Sequence, residues 1–338
     1  GEGVRRSINT IAVQTVEALG VVDSYAYATE KLGLSLVPED MAVSPLAMGG
    51  LTYGLSTVEM AAAFSAFANS GVYNSPKMYT EVRDSNGETV LKNEGETHVA
   101  MKETTAYFMN QMLTSVVNAG TGTSAKFSGM TIAGKTGTTD NSKTRYFVGY
   151  TPYYCAAVWT GYPKTNEKIS ASGNPAITMW KQVMEPLHEN LENAYFYQPG
   201  SVTTVKICAD CGLLPEEACE KDVRGSRVVE MKLFTDDVPT AKCTCHALVD
   251  ICQTSGMIAN EYCHFASGNT IESVGMLIYN EDWKVNKEED YVYNPEDKEA
   301  VCTVHNEKNV KPTEPSTEPS EPTTSASFKP ELNYSDVT

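Results

Sequence analysis

A chain of 338 residues with 41% apolar content is long enough for two domains and a sizeable core. Its formal net charge of −17 excludes nucleic acid as a partner, since binding a polyanion demands clustered cations. No run of about 18 apolar residues occurs, so no segment reads as a membrane-spanning helix, and Gly1-Glu2-Gly3-Val4-Arg5-Arg6 does not read as a signal peptide.

In chain order, Ile8, Ile11, Ala12, Val16 and Leu19 recur at helical spacing and Gly20 follows, which predicts a helix over 7–19. A second helix covers 23–32 and stops at Gly33. Ser56-Thr57-Val58-Glu59 is a capping box opening an Ala-rich helix that closes near Gly71. Apolar residues surround that helix almost completely, so it is expected to be buried. Asn86-Gly87 between alternating segments at 79–83 and 88–92 marks a hairpin. A helix over 103–118 leads through the glycine-rich run 119–123 to Ile132-Ala-Gly-Lys-Thr-Gly-Thr-Thr139. Strands at 145–150 and 155–160 flank the turn Thr151-Pro152-Tyr153, and Cys155 reads as a buried core thiol. Asn174-Pro175 then starts a helix through Trp180, Val183, Met184 and Leu187 that covers the sheet. Helices packed on an antiparallel sheet give an α+β fold.

Ser7-Ile8-Asn9, the stretch Gly49-Gly-Leu-Thr-Tyr-Gly-Leu-Ser56 with the helix after it, and Lys135-Thr136-Gly137 stand in the order of a known signature. In them the sequence resembles the transpeptidase domain of class A penicillin-binding proteins, whose motifs are Ser-x-x-Lys, Ser-x-Asn and Lys-Thr-Gly. The resemblance covers roughly residues 1–190 and implies a partial serine β-lactamase/D,D-transpeptidase-like fold. The first motif is missing: no serine of the 338 residues has lysine three places on. The expectation is therefore the C-terminal part of a longer, bifunctional cell-wall synthase, cut after its nucleophile, with an N-terminal membrane anchor and a glycosyltransferase domain upstream.

The same resemblance assigns roles. Peptidoglycan cross-linking acylates a serine with a stem peptide and needs proton carriers, an oxyanion hole and a cation for the terminal carboxylate. Lys135 would polarise Ser7, Ser7 would relay the proton to the leaving amine, and Asn9 would hold the substrate amide and the nucleophile's lysine. The hydroxyls of Thr136 and Thr138 would bind the carboxylate, the Thr138 N–H would serve the oxyanion hole, and Gly137 would let a peptide or β-lactam approach. Taken alone, Ser-x-Asn is a helix N-cap pattern. Thr139, Asp140 and Asn141 read as turn residues. The implied partners are stem peptides, β-lactams and other cell-wall synthesis proteins; the implied location is extracytoplasmic. The opposing reading is a non-catalytic module with a degenerate fold that binds wall polymer or protein.

Eight of the nine cysteines fall between 208 and 302. Val205-Lys-Ile-Cys208 through Cys219 is echoed by Val249-Asp-Ile-Cys252 through Cys263, and Cys243-Thr-Cys-His246 by Cys302-Thr-Val-His305. This divides the chain into 1–195 (transpeptidase part), a module at 199–307 with repeats at 205–246 and 249–305, and a Pro/Thr/Ser/Glu tail at 308–338. The cysteine density reads as disulfides in an oxidising compartment, with no metal and no cofactor. Cys211 and Cys245, found only in the first copy, are candidates to pair with each other. Zinc held by Cys208, Cys211, Cys243, Cys245 and His246 is the alternative, weakened because the second copy lacks partners for two of them.

Overall fold

A computed structural model describes residues 1–139, 143–162, 167–283 and 289–310. The Asp140-Asn141 part of the expected turn, and the tail from 311 on, lie outside the described residues. Contacts divide the chain into two compact units, Gly1–Thr203 with Phe234–Asp236, and Thr204–Leu233 with the rest.

The first helices are cut short by residues in the left-handed region. α1 (Glu2–Arg6) ends at Ser7, at φ 56° and ψ 52°. α2 (Asn9–Leu19) therefore starts two residues later than the periodicity predicts, after the extended Ile8. Gly20 (φ 95°) separates it from α3 (Val21–Ala26), which runs on as a π-helical stretch over Tyr27–Lys31. α4 (Val43–Met48) stops at Gly49 (φ 78°). α5 (Thr57–Ala68) opens with the expected capping box: Glu59 N–H donates to Ser56 Oγ at 3.2 Å, and Ser56 N–H donates to Glu59 Oε2 at 2.9 Å. The helix is buried along Ala62, Ala63 and Ala66 only, while Val58 is 49% exposed, so it covers a core rather than running through one.

β1 (Val72–Asn74), β2 (Glu81–Arg83), β3 (Thr89–Lys92) and β4 (Thr97–Val99) make two small ladders. β1 pairs antiparallel with β4, and β2 with β3. The β2–β3 turn holds Gly87 at φ 84°, and Asp84 Oδ1 accepts the N–H groups of Asn86 and Glu88. α6 (Glu103–Ala119) precedes an antiparallel meander of β5 (Ala133–Thr138), β6 (Thr144–Tyr150) and β7 (Cys155–Gly161). α7 (Pro175–Leu187) starts under the Asn174 side chain, which accepts the Ala176 N–H at 3.0 Å.

That sheet is packed on both sides. Phe147, Ile177, Trp180 and Met184 form one core with Val117 and Ile132, and the Trp180 indole donates to the Gly149 and Ala156 carbonyls. Leu113, Ala133, Tyr150 and Phe196 form another, joined by Phe64 and Phe67. Tyr150 donates to Asn110 Oδ1, and Asn110 donates to the Phe67 carbonyl, so the polar groups of that core are satisfied. Cys155 is partly buried, its thiol facing the Ala61 carbonyl at 3.3 Å, and burial pushes it up to about 12.

In the second unit, β8 (Val202–Cys208) and α8 (Glu217–Glu220) are followed by β9 (Val228–Phe234), which pairs with β8. β10 (His246–Cys252) pairs antiparallel with β11 (Ile271–Ile278), and β11 pairs parallel with β12 (Val292–Tyr293). The two copies share a backbone pattern. Cys208 N–H donates to Leu213 O and Gly212 N–H to Cys208 O; Cys252 N–H donates to Met257 O and Gly256 N–H to Cys252 O. Likewise Cys243 N–H reaches Leu214 O, and Cys302 N–H reaches Ile258 O. The disulfides expected from the cysteine density are not formed. All nine cysteines are free, and the recorded Sγ···Sγ separations of 3.5–3.9 Å far exceed a bond of about 2.05 Å.

Candidate active site

β5 carries the Lys-Thr-Gly triplet on a strand that pairs on one side with β6; among the described residues no strand pairs with its other side. Lys135 Nζ donates to Ser7 Oγ at 2.8 Å and to the Thr136 carbonyl at 3.1 Å. The two motifs meet from 128 residues apart. Ser7 is not a helix N-cap: it ends α1 in the left-handed conformation, and Ile8 stands before α2 with no side-chain cap. A serine at positive φ is held there against its own preference, and such positions concentrate at functional sites. It turns its hydroxyl to Lys135 instead of to the helix.

Ser7, Asn9, Lys135, Thr136, Gly137 and Thr138 all line one cleft of about 810 Å³. Asn9 is the first residue of α2. Burial lowers the Lys135 ammonium from its usual 10.5. Among the described residues no carboxylate pairs with it, so its charge is available to an anionic guest or to a hydroxyl it polarises.

Several features of the site have no counterpart in the sequence reading. Thr121 Oγ1 lies 2.7 Å from Thr136 Oγ1 and orients that hydroxyl. Its only sequence signal was the glycine-rich run, read as a connector. Gly120 is needed there because a Cβ would overlap the Arg5 carbonyl, so the loop packs tightly against α1 beside Ser7. Gly137 faces its register partner Tyr146, whose Cβ would lie 2.9 Å from an added Cβ. The glycine is thus required by the sheet itself. Ser44 and Lys143 also line the cleft.

Comparison with known proteins fits this geometry. The profile of the penicillin binding protein transpeptidase domain matches residues 7–185. Penicillin-binding protein 1A of Clostridium perfringens is 35% identical over 253 residues, which are 72% of this chain and 30% of that protein. Penicillin-binding protein 1A of Clostridium acetobutylicum is 38% identical over 202 residues, 59% of this chain and 25% of that protein. The chain thus spans less than a third of the length of these relatives. The crystal structure of penicillin-binding protein 1A from Haemophilus influenzae aligns with 71% of this chain and 40% of its own at a TM-score of 0.56 and 18% identity, a likeness of fold. With Ser7 and Lys135 joined in one cleft inside the matched span, the chain belongs to the penicillin-binding protein transpeptidase domain family.

Proposed function

We propose that this chain supplies the Ser-x-Asn and Lys-Thr-Gly parts of a peptidoglycan D,D-transpeptidase site in a class A penicillin-binding protein. The nucleophile would come from a Ser-x-x-Lys segment that these 338 residues do not contain. The observation that carries the reading is the 2.8 Å bond from Lys135 Nζ to Ser7 Oγ in a cleft beside a β5 edge that no strand covers among the described residues.

The nucleophilic serine attacks the carbonyl between the two terminal D-alanines of a stem peptide. The C–N bond breaks, the acyl group stays on the serine, and D-alanine leaves with a proton passed through Ser7. An amine of a neighbouring stem then attacks the ester and restores the serine. Lys135 holds positive potential over the site, so the Ser7 hydroxyl gives up its proton more readily and the substrate carboxylate is drawn in. Thr136 and Thr138 hydroxyls receive that carboxylate, with Thr121 fixing the first of them. Asn9 binds the stem amide, and the edge of β5 away from β6 pairs with the extended substrate. A β-lactam presents the same carboxylate and acyl group. The reaction would take place outside the cytoplasm, on a protein anchored through a segment other than these residues.

Intact mass after incubation with a penicillin tests this on two polypeptides, the 338-residue chain and a form extended upstream through the Ser-x-x-Lys segment. An adduct on the extended form alone is the expected result. An adduct on the short chain would place the nucleophile within it, and silence from both would leave a module that binds without catalysis.

A further inference from the structure

The second unit contains two clusters of soft ligands, and none of their residues lines the cleft described above. Cys252, Cys263, Cys302 and His305 are all buried and present one ligand atom each within 4.8 Å of one another, as do Cys208, Cys243, Cys245 and His246. In both, the histidine turns Nδ1 to the sulfurs. His305 Nδ1 lies 3.4 Å from Cys252 Sγ and 3.7 Å from Cys302 Sγ. His246 Nδ1 lies 3.3 to 3.6 Å from the Sγ atoms of Cys245, Cys243, Cys208 and Cys219.

These distances have a simple origin. Four ligands on a tetrahedral zinc ion, with Zn–S of about 2.3 Å and Zn–N of about 2.0–2.1 Å, stand about 3.8 Å apart sulfur to sulfur and about 3.6 Å apart sulfur to nitrogen. The sulfur-to-nitrogen separations in both copies fall around that value, as do the sulfur-to-sulfur separations of 3.5–3.9 Å in the first copy, which are too long for disulfides; the thiols of the second copy are likewise free. The count agrees. The second copy has three thiols, Cys252, Cys263 and Cys302, and three cannot all pair, whereas three thiolates and one imidazole complete a tetrahedron. The repeat relation maps Cys208, Cys219, Cys243 and His246 onto Cys252, Cys263, Cys302 and His305, so the shared set is Cys3His. In the first copy Cys245 joins it close to Nδ1, and Cys211 Sγ lies 3.6 Å from Cys243 Sγ.

The other face of His246 is held by carboxylates. Its Nε2 lies 3.1 Å from Asp222 Oδ2 and 3.2 Å from Asp210 Oδ2. Those carboxylates are held in turn by Arg224 and Arg227. Two carboxylates at Nε2, against one guanidinium nitrogen of Arg224 at 3.3 Å, favour the tautomer protonated there, which leaves the Nδ1 lone pair facing the thiols, an arrangement common behind metal-bound histidines.

We propose that residues 204–310 hold two structural Zn2+ ions. One is bound by Cys252, Cys263, Cys302 and His305, the other by His246 with three thiolates drawn from Cys208, Cys219, Cys243 and Cys245. Sulfur-rich tetrahedral sites select zinc over magnesium or calcium, and four protein ligands close the coordination shell, so the ions brace the fold and leave no position for catalysis.

The whole 338-residue chain, purified without reductant and then dialysed against zinc, should carry two zinc ions by elemental analysis. In denaturant it should release all nine thiols to a thiol reagent. Co2+ in place of zinc should give intense thiolate-to-metal absorption with tetrahedral d–d bands, and Cys302→Ser should lower metal uptake by one ion. The spectrum of the unsubstituted chain decides the matter if that variant fails to fold. Pairwise loss of reactive thiols, uptake of fewer than two ions, or the weak spectrum of octahedral Co2+ would each overturn the proposal.

Discussion

Lys135 holds its amine in a partly buried position where, among the described residues, no carboxylate meets it. That is costly for folding and useful for binding anions. Burial favours the neutral amine, so the folded pKa lies below the unfolded value of 10.5. A base with a depressed folded pKa opposes folding while it is charged, and the penalty fades as pH rises through that pKa towards 10.5. Lys135→Met should therefore raise stability at neutral pH, by less than about 1 kcal/mol. Its advantage over the parent chain in urea unfolding should shrink as pH rises. In the upstream-extended protein the same change should slow penicillin acylation on the order of 10²- to 10⁴-fold. A chain that unfolds on losing Lys135, or acylates normally without it, would contradict this division of roles. The triplet at Lys135 was legible because residue type, order and a strand pattern coincide there. Thr121 was not, since nothing in a Gly-Thr-Gly-Thr run announces a contact with a strand 15 residues on.

At the scale of elements, local chemistry made most boundaries readable. Ser56 and Glu59 open α5 as a capping box should, Asn174 and Pro175 open α7, and Asn86-Gly87 turns the β2–β3 hairpin. Where the reading failed, a tertiary demand had overridden a local preference. Ser7 adopts a backbone that serine rarely takes, so α2 starts late. The near-continuous apolar surface of α5 suggested burial all round, yet only Ala62, Ala63 and Ala66 are fully buried, Phe64 and Phe67 pack partly buried against the Tyr150 core, and Val58 is left exposed. The capping box carries a pH signature. Burial would raise Glu59, but hydrogen bonds from Ser56 and Ser35 outweigh it and hold the carboxyl down at about 2. A depressed carboxyl contributes stability above its unfolded pKa of 4.5 and loses it as pH falls through about 2. Glu59→Ala should cost about 1 kcal/mol at neutral pH, and the cost should diminish on acidification across that window. Thermal melts of both proteins along the acid limb measure this, and a pH-independent difference would remove the carboxylate's role.

At the scale of the molecule, the sequence revealed a repeat in the second unit, but spacing alone could not tell a disulfide from a metal ligand. Both need close sulfurs, and only three-dimensional separation distinguishes them. The repeat is also asymmetric in a way that bears on the proposed ions. His246 is backed by Asp222 and Asp210, whereas among the described residues no carboxylate is bonded to His305. Hydrogen bonding behind a metal-bound histidine raises its basicity, and losing such a partner typically costs 10- to 100-fold in affinity. The first copy also has two spare thiols beside its ion, so a ligand that dissociates has a neighbour to replace it. Titration with a chelator should therefore empty the second copy first. Hydrogen exchange should rise in 249–305 at lower chelator concentration than in 205–246, because structural zinc binding is part of the folding free energy of small modules. Asp222→Asn should bring the two steps together by weakening the first site. The opposite order, or simultaneous loss in the unsubstituted chain, would mean that the carboxylate pair does not tune the metal.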